Sequence, residues 1–200
     1  SSDLSNSGII DIAQPLLNRL AEVSGELVRL SVVDGDRLTW VARAQGARQG
    51  LRYDPDMGSD ARLSCSSSGW AWLSTMSDDE ALALVAKQGI GQPEQFGPAA
   101  PATLQEVLAA VQATRERGWS MTTDTYTAGL SAMSAPVRFA GQPAFGVLTI
   151  AGPTVRFNAE RMATLGTELL STAQQLAALS GASPFFQLTA ETGKSASNDG

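Results

Sequence analysis

Two strand-like runs closed by tight-turn signals limit this fold more than anything else in the chain. In the stretch LVRLSVVDGDRLTWVAR, Leu27, Arg29, Ser31 and Val33 alternate with Val28, Leu30 and Val32, and Asp34-Gly35 follows at once. Glycine accepts the positive φ that a two-residue turn needs, so the next run, residues 38–43, must return antiparallel beside the first. Residues 130–139 and 144–150 repeat the arrangement around Ala140-Gly141-Gln142. A parallel sheet would need a crossover helix between successive strands, and none is spaced that way. The expectation is an α+β chain, an antiparallel sheet with helices packed on it.

Helical spacing fills the gaps. Ile9, Ile12, Ala13, Leu16, Leu20 and Val23 fall on one stripe, with Gly25 as the stop and Pro15 as a place for a kink. A short third strand is expected over residues 50–53. After a small, polar stretch (57–69), Trp70-Ala71-Trp72-Leu73 opens a compact helix. Residues two apart cannot share a helix face, so one tryptophan should pack on the sheet and the other at an oligomer contact.

Ser77 to Glu80 and Thr103 to Glu106 carry the capping-box pattern. The first opens a helix over 78–87. The second opens a helix burying Leu104, Val107, Leu108 and Val111, with Ala110 at its margin, and ending at Arg115-Glu116-Arg117-Gly118. A strand over 119–123 should follow. Asn158 caps a last helix with Met162, Leu165, Leu169, Ala173, Leu176 and Leu179 on one face. Residues 89–101 read as a Gly/Pro-rich surface loop. Residues 1–180 read as one domain, and 181–200 as a flexible tail unless Phe185 and Phe186 dock it.

Composition removes much chemistry. The chain has no histidine and a single cysteine, Cys65. That excludes His-based catalysis, an intrachain disulfide and any zinc ribbon. Acidic residues outnumber basic ones by 20 to 14, and the arginines are scattered singly, so no basic run exists to follow a phosphate backbone. No apolar stretch approaches a membrane span, and the first residues lack a signal-peptide pattern. The expectation is a cytoplasmic, non-membrane, non-enzymatic protein without metal or cofactor.

Three groups of residues could nevertheless form a site. Ser64-Cys65-Ser66-Ser67-Ser68-Gly69 leads into a helix; such a loop offers free amides to an anion, and the same serines would serve equally as helix caps. Thr122-Thr123-Asp124 is either a ligand-facing strand or a polar strand edge. Thr149 and Ala151 share a sheet face, as do Leu130 and Ala132; Thr149 either reads a ligand or bonds to backbone. Cys65 has no histidine to act as its base, which leaves an inert thiol.

In order and spacing, LLNRLAEVSGE, VDGDRLTWVAR, MGSDARLSCSSSGWAWL, ATRERGWSM, AGLSAMSAPV and LTIAGPTVRF resemble the effector-binding domain of the IclR family of bacterial transcription regulators. The resemblance spans residues 9–180. It implies a GAF-like curved antiparallel sheet holding a small molecule, and dimers or tetramers. It also implies DNA contact only through an N-terminal winged helix-turn-helix domain that this sequence does not show. The resemblance places Ser66, Ser67 and Ser68 at the head of an effector, a small organic acid. Thr122, Asp124 and Thr149 orient the rest, and Tyr53, Ala61, Leu130, Ala132 and Ala151 form the wall. Thr122 stands where the family usually has an acid, and Ala132 where some members have cysteine. These departures leave open a module that only oligomerises, its pocket degenerate. A small hydrolase or isomerase is the remaining alternative.

Overall fold

The computed structural model describes residues 2–181, with the side chains of residues 8–181. The expected tail, including Phe185 and Phe186, lies outside the described residues apart from Gly181. In chain order the elements are α1 (Ser2–Ser24), β1 (Leu27–Asp34), β2 (Arg37–Gln45), α2 (Ser67–Leu73), α3 (Asp78–Gln88), α4 (Leu104–Arg117), β3 (Ser120–Thr123), β4 (Leu130–Val137), β5 (Gly146–Pro153) and α5 (Ala159–Gly181). A 3-10 turn at Pro93–Gln95 interrupts the expected surface loop.

The strands form one five-stranded sheet in the order β2-β1-β5-β4-β3, and every pairing is antiparallel. Asp34 pairs with Arg37 across a two-residue turn in which Gly35 holds φ +63°. β5 is the middle strand and is buried along its whole length. Both of its faces are covered, which is why it reads as an almost unbroken apolar run.

The two faces carry different helices. Val28, Leu30, Met133, Leu148 and Ile150 pack against α1 and α5 through Leu17, Leu20, Met162, Leu165 and Leu169. The opposite face meets α2, α3 and α4 around Leu63, Trp70, Leu73, Val85, Val107, Val111 and Val147. Gly25 ends α1 at φ +71°, its amide bonded to the Ala21 carbonyl. Gly118 ends α4 at φ +89°. Asn158 caps α5 by accepting from the Arg161 amide. Among the described residues, no helix is long and apolar enough to cross a membrane.

Several sequence expectations are corrected. α1 buries Ile9, Ala13, Leu17, Leu20, Ala21 and Ser24, whereas Ile12 and Leu16 are half-buried and Val23 is exposed. α1 also continues through Pro15, whose missing amide falls on an exposed position. Leu104 and Leu179 are exposed, and Thr114, Ala177 and Ser180 are buried instead. Residues 50–53 form no strand. Side chains tie that segment down: the Tyr53 carbonyl accepts from Gln45 Nε2, and Asp54 pairs with Arg43 at 2.7 Å. The tryptophans are not divided between sheet and surface either. Trp70 and Trp72 are both buried within the chain, since α2 is enclosed on all sides.

Candidate functional site

The site is built on the α2 face of the sheet, and small residues create its space. Ala151 pairs with Ala132, and Ala132 with Thr122, across β5, β4 and β3. This row is too short to fill the gap beneath α2. Beside it runs a polar row: Arg29 pairs with Thr149, Thr149 with Ser134, and Ser134 with Ser120. α2 sits close to both rows because its first residues are small. A Cβ on Gly69 would lie 2.6 Å from the Leu63 Cα and carbonyl oxygen.

The serine loop divides its work. Ser66 is the N-cap of α2, accepting from the Gly69 amide at 3.0 Å while its hydroxyl donates to the Arg62 carbonyl. Ser67 and Ser68 occupy the first two helical positions, whose amides precede the first intrahelical bond. Their hydroxyls turn to the sheet. Ser67 Oγ lies 2.8 Å from Ser134 Oγ, Ser134 Oγ 2.7 Å from Thr149 Oγ1, and Thr149 Oγ1 3.0 Å from Ser68 Oγ. Thr149 therefore bonds to side-chain hydroxyls, not to backbone. Ser120 completes the anchorage by donating to the Ser67 carbonyl at 2.6 Å.

Between α2, the sheet and the loop after β2 lies a cavity open on one side, with a volume of about 50 Å³ for water-sized occupants. That is room for a few waters or one small molecule. Ser66, Ser67, Ser68, Thr122, Leu130, Ala132, Thr149 and Ala151 line it, and Tyr53 and Ala61 reach it from the loop. Of the residues given a ligand or wall role from sequence, only Asp124 lies outside. β3 ends at Thr123, so the strand alternation that would have aimed Asp124 inward has already stopped. Asp124 takes φ +58°, and its carboxylate accepts from the Gly129 amide at 2.7 Å. An aspartate tolerates this left-handed conformation, and here it closes the β3–β4 turn.

Sequence reasoning missed Arg29, Trp40, Arg62 and Tyr126, which also line the cavity. The guanidinium of Arg29 lies 3.7 Å from the Trp40 ring centroid and 5.6 Å from that of Tyr53. Burial pulls the Arg29 pKa below the usual arginine value, opposed by Tyr53. Burial likewise raises Tyr53. Arg62 donates to the Gly89 carbonyl at 2.8 Å and faces the Phe96 ring at 5.2 Å. The available signal for Arg29 was a charge inside an apolar run on a strand flanked on both sides.

Cys65 is buried, and desolvation pushes its thiol from 9.0 up to about 11. Native Cys65 should therefore react with iodoacetamide at pH 8 at least about a hundredfold more slowly than in the denatured chain. Equal rates would mean an accessible, activated thiol. The sign for stability follows. The unfolded thiol ionises first as pH rises, so this group's contribution is full below 9.0 and is lost towards about 11. Among the described residues, no cluster of histidine, cysteine or carboxylate side chains could hold a metal.

Comparison with known proteins agrees with this architecture. The family described as bacterial transcriptional regulator IclR C-terminal matches residues 1–178. The acetate operon repressor of Salmonella typhimurium is 27% identical over 177 residues, 88% of this chain and 64% of the repressor. The HTH-type transcriptional regulator BhcR of Paracoccus denitrificans is 27% identical over 88% of this chain and 62% of its own length. The chain thus spans less than two thirds of either relative. A transcriptional regulator structure from Rhodococcus sp. RHA1 superposes with a TM-score of 0.75 at 27% identity, covering 88% of this chain and 69% of that one.

Proposed function

The chain belongs to the IclR family of bacterial transcriptional regulators, as the family's C-terminal domain, and from that premise we propose that it senses a small organic acid in the cavity beneath α2. The observation that supports this most is the cavity lining. Hydroxyls from α2, β3 and β5 converge on it through Ser66, Ser67, Ser68, Thr122 and Thr149, and Arg29 and Arg62 line it together with Asp56 and Asp60, of which Asp60 is already held by Arg37. In this reading Ser66, Ser67, Ser68, Thr122 and Thr149 contact the ligand. Tyr53, Ala61, Leu130, Ala132 and Ala151 shape its walls. No reaction is assigned to it, since the side chains around the cavity hold no nucleophile paired with a base.

Binding controls DNA only if the ligand favours one arrangement of the regulator over another. The proposal therefore includes a homodimer or homotetramer in the cytoplasm, with DNA contacted by a separate domain of the regulator. Trp40 lines the cavity while Trp70, Trp72 and Trp119 are buried elsewhere, so binding should alter Trp40 emission. Titration with small carboxylic acids should give a saturable fluorescence change that Trp40→Phe abolishes. A flat titration, with no acid protecting the chain against heat, would favour the module that only oligomerises.

A further inference from the structure

Arg29 is 7% exposed, on a strand flanked by neighbours on both sides. Its guanidinium stays charged at any physiological pH. Among the described residues, no carboxylate lies within ion-pair distance of it, and its buried Nε has no hydrogen-bond partner. The Trp40 and Tyr53 rings fix the plane of the group and the Tyr53 side chain also hydrogen-bonds to it, but neither residue brings negative charge. Arg43, opposite it on β2, adds repulsion, and Asp54 is already engaged by Arg43 and Arg52. Of the acids at the cavity mouth, Asp60 is engaged by Arg37 and Thr39, and Asp56 is exposed. A buried cation without a counter-ion is strongly unfavourable, and a ligand that supplies one removes the penalty.

The hydroxyls next to Arg29 carry a second requirement. Ser67, Ser134, Thr149 and Ser68 form an open chain of four hydroxyls joined by three contacts. Each contact uses one proton, so one hydroxyl proton is always left to donate elsewhere. Arg29 and Thr149 are direct cross-strand neighbours, which sets the two polar groups side by side.

We infer that the ligand's carboxylate pairs with Arg29 and that the hydroxyl chain donates to a neutral oxygen on the same small molecule. This rests on the effector reading above and makes Arg29 the residue that sets ligand class and orientation. The alternative is an arginine that merely staples the loop after β2, through Tyr53, to Trp40 on β2.

Calorimetric titration with lactate, propionate and lactamide separates the two. Lactate offers both groups, propionate only the acid, and lactamide only the neutral oxygens. The wild-type chain should bind lactate most tightly, propionate more weakly and lactamide weakest. Arg29→Met should weaken lactate at least about thirtyfold, to the level of lactamide. It should also raise the thermal midpoint of the unliganded chain, because it removes an unpaired buried charge. A staple would instead give a lower midpoint and unchanged preference for the acid. Should Arg29→Met not fold, the staple reading is supported, and the wild-type preference for lactate over lactamide decides the acid assignment. Equal binding of lactate and lactamide overturns the Arg29 assignment while leaving effector sensing in place. No binding of any of the three overturns this inference, and the Trp40 titration with other acids then decides the effector reading separately.

Discussion

Gly69→Ala is expected to lower the stability of the chain by about 3 kcal/mol or more, a large loss for the addition of a single methyl group. The new Cβ would meet Leu63 backbone atoms at 2.6 Å, and a backbone atom cannot move aside by changing rotamer. Either α2 lifts from the sheet or the 61–65 segment shifts. Lifting α2 breaks the Ser67–Ser134 and Ser68–Thr149 contacts, and shifting 61–65 displaces Ala61 and Arg62 from the cavity wall. For a chain of this size the thermal midpoint should fall by roughly 10 °C. Gly58→Ala is the control, since nothing lies within 4 Å of a Cβ there. Equal midpoints for the two variants would mean that the close approach of α2 to Leu63 is not a real constraint.

The parts of the fold that were legible in the sequence rest on local chemistry. The Asp34-Gly35 turn, the Gly118 stop and the Asn158 cap act through their own backbone geometry, and each is found where expected. Choice between overlapping apolar stripes was not legible. α1 offers two, and the one through Leu17, Ala21 and Ser24 wins because it meets the sheet and α5, leaving Val23 outside. Nothing within the helix distinguishes them. The cavity wall was largely legible through the family resemblance, whereas its one buried cation was not. A charge on an alternating strand normally marks a solvent face, and Arg29 is buried only because of what covers β1. The misplacement of Asp124 has the same origin, since it depends on where β3 stops.

Ser68→Leu should abolish effector binding outright while the chain remains folded. Ser68 is 1% exposed and touches Thr149 at the cavity floor. A leucine there cannot share about 50 Å³ with a ligand. Its own cost is that of an overpacked site, about 1–3 kcal/mol, which a domain of ordinary stability survives. Ser68→Ala keeps the space and loses one hydroxyl, so it should weaken binding only about two- to tenfold. The contrast between the two substitutions assigns the effect to occupancy of the cavity.

The most direct measurement is the thermal midpoint of the wild-type chain and of Ser68→Leu, each with and without millimolar small carboxylic acids. A ligand at a hundred times its Kd adds about 2.7 kcal/mol of stability. The wild-type midpoint should rise with one chemical class of acid, and that of Ser68→Leu should not rise with the same acid. A rise of the same size in both chains would place the ligand elsewhere and contradict the assignment of this cavity as the sensing site.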